Sequence, residues 1–385
     1  MNLNLSQAIK EKAKEIGFDL VGISPVDKFP ETEAYKEWLK KGFAGKMEYM
    51  ERSAEKRKDI KKVLPSARSV ISCALNYNTD YPYSVSETDK SRGWISRYAW
   101  GDDYHYVMEE KLKSLLEYIK KESRYEVEAK IYVDTGPVLD RVYAKYGGIG
   151  WFGKNTCILD QDIGSWFFIG EMITNLELIC DEPLQDRCGS CTMCIDACPT
   201  GALLKPYVLD SRLCISYLTI ELRDDIPINL RDKVGNNIYG CDICQDVCPW
   251  NRKAEVTDEP SFKPREGLYS PSLLSLLNLS EEEYKETFRQ SPIKRAKRRG
   301  LVRNVLIAMG NSGNKGFIRH LEGKLKDTDP MIRAHAAWAI WKLGGKDAYE
   351  ILEKYLATET DSEVKEEITS LKVNYMSRRD KQGRL

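Results

Sequence analysis

Four cysteines in the stretch Cys188 to Pro199, CGSCTMCIDACP, follow the spacing C-x2-C-x2-C-x3-C-P. No other feature restricts the fold of this chain as much. Thiolates so spaced grip one cubane [4Fe-4S] cluster with the first three ligands, while the fourth, ahead of the proline, reaches the other cluster of a pair. CDICQDVCP repeats the ending with Cys241, Cys244 and Cys248 but has no leading cysteine, and Cys214 in RLCISY is the thiol free to supply one. The arithmetic gives one cluster Cys188, Cys191, Cys194 and Cys248, and the second Cys241, Cys244, Cys214 and Cys198. Of the 11 cysteines, Cys73, Cys157 and Cys180 are left over and read as small buried apolar side chains. A zinc ribbon competes for the other eight, and the two proline-terminated x3 spacings argue against it.

A chain of 385 residues is too long for one ordinary core, so two or three domains are expected. Lys plus Arg balances Asp plus Glu at 59 each, so a nucleic-acid or membrane partner would have to be met by a local patch. The N-terminus reads as an amphipathic helix on Leu5, Ile9, Ala13 and Ile16 rather than an export signal. No apolar run is long enough to span a bilayer. Cysteines spaced as ligands fit a reducing compartment, so the cytoplasm is the expected location.

FDLVGIS and RSVISCALNY read as strands, Met108, Leu112, Leu115, Leu116 and Ile119 mark a helix, and YEVEAKIYVD alternates as a half-buried strand from Tyr125 to Val133. The spacing therefore predicts an α/β or α+β domain over 1–178 and a metal-organised segment over 179–255 with little apolar core of its own. A polar linker is expected over 256–285, and helices only over 286–385. In the tail, LVRNVLIAMGNSGN and MIRAHAAWAIWKLGGKDA share an apolar helix closed by glycine and a polar turn, a weak HEAT-type repeat in which Pro330 and Arg333 suit the second helix.

The destination of the electrons is less plain. No strand is followed by G-x-G-x-x-G, and YGGIGWFGKNT lacks that spacing. Three candidates for proton chemistry stand in the first domain. Asp134 closes the alternating strand before a helix expected to open at Pro137, where it serves either as an acid or as that helix's cap. Tyr104 and His105 in GDDYHY, and Lys154 and Asn155 in WFGKNT, have helix-start and polar-turn alternatives.

VDTGPVLDRVYAKYGGIGWFGKNT, CGSCTMCIDACPTGAL, RLCISYLT and YGCDICQDVCPWN, in that order, resemble the epoxyqueuosine reductases across essentially the whole chain. The resemblance implies an α+β multidomain protein: an α/β corrinoid-binding catalytic domain, a bacterial-type two-cluster ferredoxin domain and an all-α HEAT-like tail. It implies reduction of the epoxide of epoxyqueuosine in the anticodon loop of tRNA to queuosine, with electrons passing from an external donor through two [4Fe-4S] clusters to cobalamin. The cobalamin would be base-off without a protein histidine ligand, since D-x-H-x-x-G is absent and only His105, His320 and His335 are available. Asp134 takes the family's proton-donor position, a role that near neutral pH needs burial beside the corrin. Arg57, Asn155, Ile158, Ile169, Ser216, Cys241 and Asp242 fall at cofactor-binding positions, as does Ser96, where some relatives carry cysteine. The run KRAKRR, with Lys294, Arg295, Lys297, Arg298 and Arg299, is the expected tRNA-facing patch, and a monomer without a membrane partner is expected. A reductive dehalogenase and a ferredoxin-like carrier without its own substrate are the competing readings. The helical tail and the lack of an export signal oppose the first, and the carrier would bind no corrinoid.

Overall fold

A computed structural model describes residues 3–371. Helix α1 (Leu3–Ile16) leads into strand β1 (Leu20–Pro25), and strand β2 (Ser69–Asn76) is buried along its whole length. Helix α2 (Tyr104–Glu122), strand β3 (Ala129–Val133), helix α3 (Asp140–Tyr146) and strand β4 (Phe167–Thr174) complete the domain. The sheet order is β1-β2-β4-β3 with every neighbouring pair antiparallel. Between the two layers expected, the domain is therefore of the α+β kind. Side chains alternate across β2: Ile71, Cys73 and Leu75 pack under α1 and α2, whereas Val70 packs with Val138, Val142 and Tyr143 on the α3 side.

Two local expectations are corrected. The alternating strand begins at Ala129 rather than Tyr125, which is 72% exposed. Edge strand β3 has only β4 to pair with, and β4 ends at Thr174, opposite Ala129. The helix expected at Pro137 opens at Asp140. Gly136 lies so close to Tyr132 that a Cβ there would come within 2.4 Å of its ring, so the chain folds back on β3 before it can coil.

The cysteine-rich segment does not stand apart from an apolar core. Trp94 and Trp100 from the first domain, Ile215, Leu218, Ile226 and Ile238 from the cysteine-rich segment, and the C-terminal helices share one buried cluster. A short parallel pairing of Trp94–Ile95 with Asn237–Tyr239 ties the first two together. Residues expected as a linker are not a free tether either, since Leu268, Leu273 and Leu277 are buried in that cluster.

The tail is built on α4 (Lys297–Asn311), α5 (Ile318–Lys324) and α6 (Pro330–Leu356). Pro330 opens α6 at its first turn, capped by the Asp329 side chain on the Met331 N–H. Helix α4 closes as expected, one residue past Gly310 and with Gly313 left-handed (φ 73°), whereas Gly344 does not close α6; both Gly310 and Gly344 are contact positions. A Cβ on Gly310 would meet Trp338 at 2.7 Å, one on Gly344 would meet Ala348 at 2.8 Å, and α6 runs on past Gly344.

Candidate cluster centres and active site

Cys188, Cys191, Cys194 and Cys248 line one cavity of about 250 Å³ together with Lys154, Asn155 and Trp250. These are the four thiols the spacing groups together. Lys154 Nζ donates to the carbonyls of Gly189 and Cys191 at 2.6 and 2.8 Å, so the residue read as a polar turn clamps the first cysteine loop. The other four are electrostatic neighbours: Cys241 senses Cys214 and Cys198, and Cys244 senses Cys241 and Cys214, though Cys157 acts on it first and Cys194 also reaches it. Burial works to raise the Cys198 thiol, but the Thr200 hydroxyl and the backbone N–H groups of Leu203, Ala202 and Thr200 bring it below its ordinary value. Donors aimed at sulfur stabilise the thiolate that an iron cluster requires. Among the described residues no three His, Cys, Asp or Glu side chains converge on the site of a single metal ion, and no disulfide forms. Of the three leftover cysteines, Cys73 is buried in the first core, while Cys157 and Cys180 are only partly buried.

Asp134 follows β3 in a left-handed conformation (φ 56°), which a non-glycine residue adopts at some cost. It does not cap α3, whose cap position is Leu139. Its Oδ2 accepts the Tyr104 hydroxyl at 3.0 Å and lies 3.9 Å from His105 Nε2. The side chain is 68% exposed, so the surrounding protein does not supply the burial expected of a carboxylic acid at this position. The helix-start reading of GDDYHY also holds: Asp103 caps α2 through the His105 N–H at 3.1 Å. Nearby, Oδ1 of Asp140 is enclosed without a hydrogen-bond partner, and burial together with the Asp134 charge pushes that carboxyl up to about 7.

The remaining expected cofactor contacts fall between this loop and the cysteines. Buried Arg57 donates from Nη1 to the Val138 carbonyl and from Nε to Ser53 Oγ at 2.9 Å, holding the turn that carries Asp134. Asn155 Nδ2 donates to the Cys244 carbonyl at 3.4 Å, and Ile158 and Ile169 share an apolar cluster with Phe152 and Phe167. Ser216 is half-buried beside Cys214, and its backbone N–H faces that thiol. The Ser96 hydroxyl is spent on Asp242, whose carboxylate also accepts Trp94 Nε1 at 3.0 Å and the Arg97 N–H at 2.8 Å. Asp242 is thus braced by the first domain, with Cys241 immediately before it. His105 faces Asp134, whereas His320 and His335 lie in the helical tail.

The basic run is less uniform than its sequence. Arg295 forks onto Glu221 at 2.9 Å for both bonds and stacks over Tyr49 at 5.6 Å. Arg298 donates to the Leu279 carbonyl, and Arg299 pairs with Asp329. Lys294 and Lys297 are exposed. The run also borders the Asp134 site, since the Asp134 charge reaches Arg295 and Tyr49, and Lys294 bears on Asp103.

Comparison with known proteins accounts for this arrangement. Residues 57–135 match the family described as "Epoxyqueuosine reductase QueG, DUF1730", 187–251 a 4Fe-4S double cluster binding domain, and 297–372 HEAT repeats. The epoxyqueuosine reductase of Salmonella typhimurium is 40% identical over 343 residues, covering 88% of this chain and 89% of the relative. The chain belongs to the epoxyqueuosine reductase family. Its members include a crystal structure with a tRNA-Tyr epoxyqueuosine-modified stem loop, at TM-score 0.88 and 37% identity, covering 95% of this chain and 97% of that one. The Bacillus subtilis enzyme, solved with its aspartate-bearing catalytic loop swung out of the active site, matches equally well (TM-score 0.88, 37% identity, 95% and 98% coverage). As a member, this protein is an oxidoreductase with a double [4Fe-4S] cluster domain. Among the described residues no helix is long and apolar enough to cross a membrane.

Several residues around this reductase site escape sequence reasoning. Asp103 leaves a faint trace, an aspartate two residues before a histidine at a helix start, which suits a cap and an imidazole partner at once. Tyr49 and Glu221 leave none, because only tertiary packing gathers them with Arg295 within reach of the Asp134 charge, and Asp140, six residues after Asp134, is marked by its burial alone.

Proposed function

We propose that the protein reduces the epoxide of epoxyqueuosine at the wobble position of tRNA to queuosine, with Asp134 as the proton donor. One observation carries this reading: an exposed carboxylate, held by Tyr104 at the end of β3 and acting with Glu221 of the cysteine segment on Tyr49, stands in a chain that matches epoxyqueuosine reductases over 88 to 95% of its length. Cys188, Cys191, Cys194 and Cys248 would hold one cluster, and Cys198, Cys214, Cys241 and Cys244 the other. Ile158 and Ile169, which share an apolar cluster, would give cobalamin apolar contact, and Arg57, Asn155, Ser216 and the backbone of Cys241 and Asp242 would give it polar contact. Ser96 would act through Asp242 rather than by touching the cofactor. Bound there, cobalamin would supply low-valent cobalt chemistry fed one electron at a time.

The chain's own part is to bind and orient the nucleoside and to deliver a proton. An anticodon-loop base is unpaired and can be splayed into such a site at modest cost. Lys294 and Lys297, both exposed, the first bearing on Asp103, would meet backbone phosphates, while Arg295, Arg298 and Arg299 shape the surface that presents them. Domain limits near 178 and 255, a monomeric state, a cytoplasmic location and an external electron donor belong to the same reading.

The test is anaerobic incubation of protein reconstituted with iron, sulfide and cobalamin, a low-potential reductant and epoxyqueuosine-bearing tRNA, followed by nucleoside analysis. Queuosine that forms only when cobalamin is included supports the proposal. Queuosine without cobalamin overturns its cofactor, and no queuosine from fully loaded protein overturns the reaction.

A further inference from the structure

We propose that Asp103 and His105 form a proton relay that reloads Asp134 between turnovers, an inference that rests on Asp134 being the donor. Converting the epoxide to the alkene with loss of water takes up two electrons and two protons per turnover. The electrons come from the external donor, solvent supplies one proton, and Asp134, having given the other, must regain a proton before it can act again.

The geometry supplies a route. His105 Nδ1 lies 2.7 Å from Asp103 Oδ1, while Nε2 is enclosed, has no hydrogen-bond partner, and faces Asp134 Oδ2 at 3.9 Å. That separation exceeds a hydrogen bond, and a small rotation of the exposed Asp134 side chain closes it. Asp103 is held below its ordinary value: burial works to raise it, but the hydrogen bond, charge and backbone N–H of His105 prevail, with Lys294 assisting. Asp103 is therefore a carboxylate that faces Nδ1 and fixes the ring's orientation. In the step itself, the imidazolium gives its Nε2 proton to Asp134 Oδ2, leaving neutral imidazole with Nδ1–H on Asp103. Solvent restores the proton once Asp134 swings away, the imidazole side chain being 29% exposed.

The groups facing this pair are Tyr104, Asp134 and Lys294. Tyr104 donates to the same Oδ2, but burial and the Asp134 charge push its phenol well above its ordinary value, so it keeps its proton and aims the carboxylate. His105 and Asp103 are accordingly positioning and reloading residues, distinct from the donor.

The test uses the full chain with both clusters and cobalamin. In single turnover, with pre-reduced enzyme in excess over epoxyqueuosine tRNA, His105→Gln and Asp103→Asn should match the wild type, because reloading is needed only between turnovers. In the steady state each should be slower by about 10-fold or more. Independently of activity, histidine-specific ¹⁵N NMR of a chain with 3 histidines should show His105 as the Nδ1–H tautomer when neutral, a preference lost in Asp103→Asn. Unchanged steady-state rates in both variants, or a first turnover slowed as much as the steady state, overturns the relay. A wild type that makes no queuosine, or an Asp134→Asn variant of full activity, instead overturns the donor reading beneath it.

Discussion

Replacing Arg303 with methionine should loosen the cysteine domain from a position in the helical tail. Arg303 is 0% exposed. Its guanidinium donates to the carbonyls of Leu218 at 2.6 Å, Asp224 at 2.5 Å and Leu222 at 2.9 Å, closing the end of the turn that begins just after Cys214 and Ser216. Methionine fills a similar apolar volume but leaves the Leu218 and Leu222 carbonyls and the Asn304 side-chain carbonyl, which accepts Arg303 Nε and Nη2 at 3.1 and 2.9 Å, without donors in a dry core. At about 1.5 kcal/mol for each stranded carbonyl the gross loss is about 4.5 kcal/mol. Part is returned because the variant no longer buries a cation, a burden visible in the Arg303 guanidinium being pushed down to about 9 by burial. Allowing about 1.5 kcal/mol for that release leaves a net destabilisation of about 3 kcal/mol, or roughly 6 °C or more in Tm at the sensitivity of a large domain. Thermal unfolding of anaerobically reconstituted protein measures the shift, and the iron-to-protein ratio should fall as the segment bearing Cys214 loosens. Arg303→Lys, able to keep one of these bonds, should lie between. A methionine variant within about 1 °C of wild type and with full iron would refute the reasoning, showing that these carbonyls find other donors or that the cation's burial cost equals its bonds.

Four further outcomes are expected. Asp134→Asn should retain iron and tRNA binding while losing at least about 100-fold in queuosine formation, read by nucleoside analysis beside a binding assay. Cys157→Ala should keep full iron content, whereas Cys214→Ala should lose iron, which separates the proposed ligands from their neighbour. Lys294→Gln with Lys297→Gln should flatten the log–log salt dependence of tRNA binding by about 1.5 without moving Tm; neutralising Arg295 and Arg299 should lower Tm as well, since both hold ion pairs. Glu359 is brought down to about 2, burial being outweighed by Arg333, Tyr355 and the N–H groups of Asp361 and Thr360. Its stabilisation is thus present above the ordinary glutamate value of 4.5 and is lost as pH falls toward 2. Glu359→Gln should cost about 2 kcal/mol at neutral pH, with a Tm deficit that narrows between pH 5 and 3.

The proline-terminated cysteine motifs are local, because ligand spacing along the chain is set by the cluster itself. They announced a two-cluster segment, and the ordered set of motifs around Asp134 announced the family, before any packing was known. A continuous apolar run likewise marked β2, alternation marked β3, and helical spacing marked α2, whose buried face repeats at the helix's own pitch. What the sequence by itself could not determine is what contact at long range decides. β3 starts late because its one partner strand ends, and α6 runs on through Gly344 where a local reading expects a stop. Residues 256–285 look polar and yet place leucines at the spacing a distant core needs. The basic run reads as one patch, but Glu221 and Asp329 neutralise two of its arginines and leave two lysines exposed. Above all, only the tertiary structure brings Asp103 and His105 at the start of one helix to Asp134 at the end of a strand, with Tyr49 and Arg295 close by. Charge and hydrogen bonding act over a few ångströms, and residues so far apart in the chain share that distance only once it has folded.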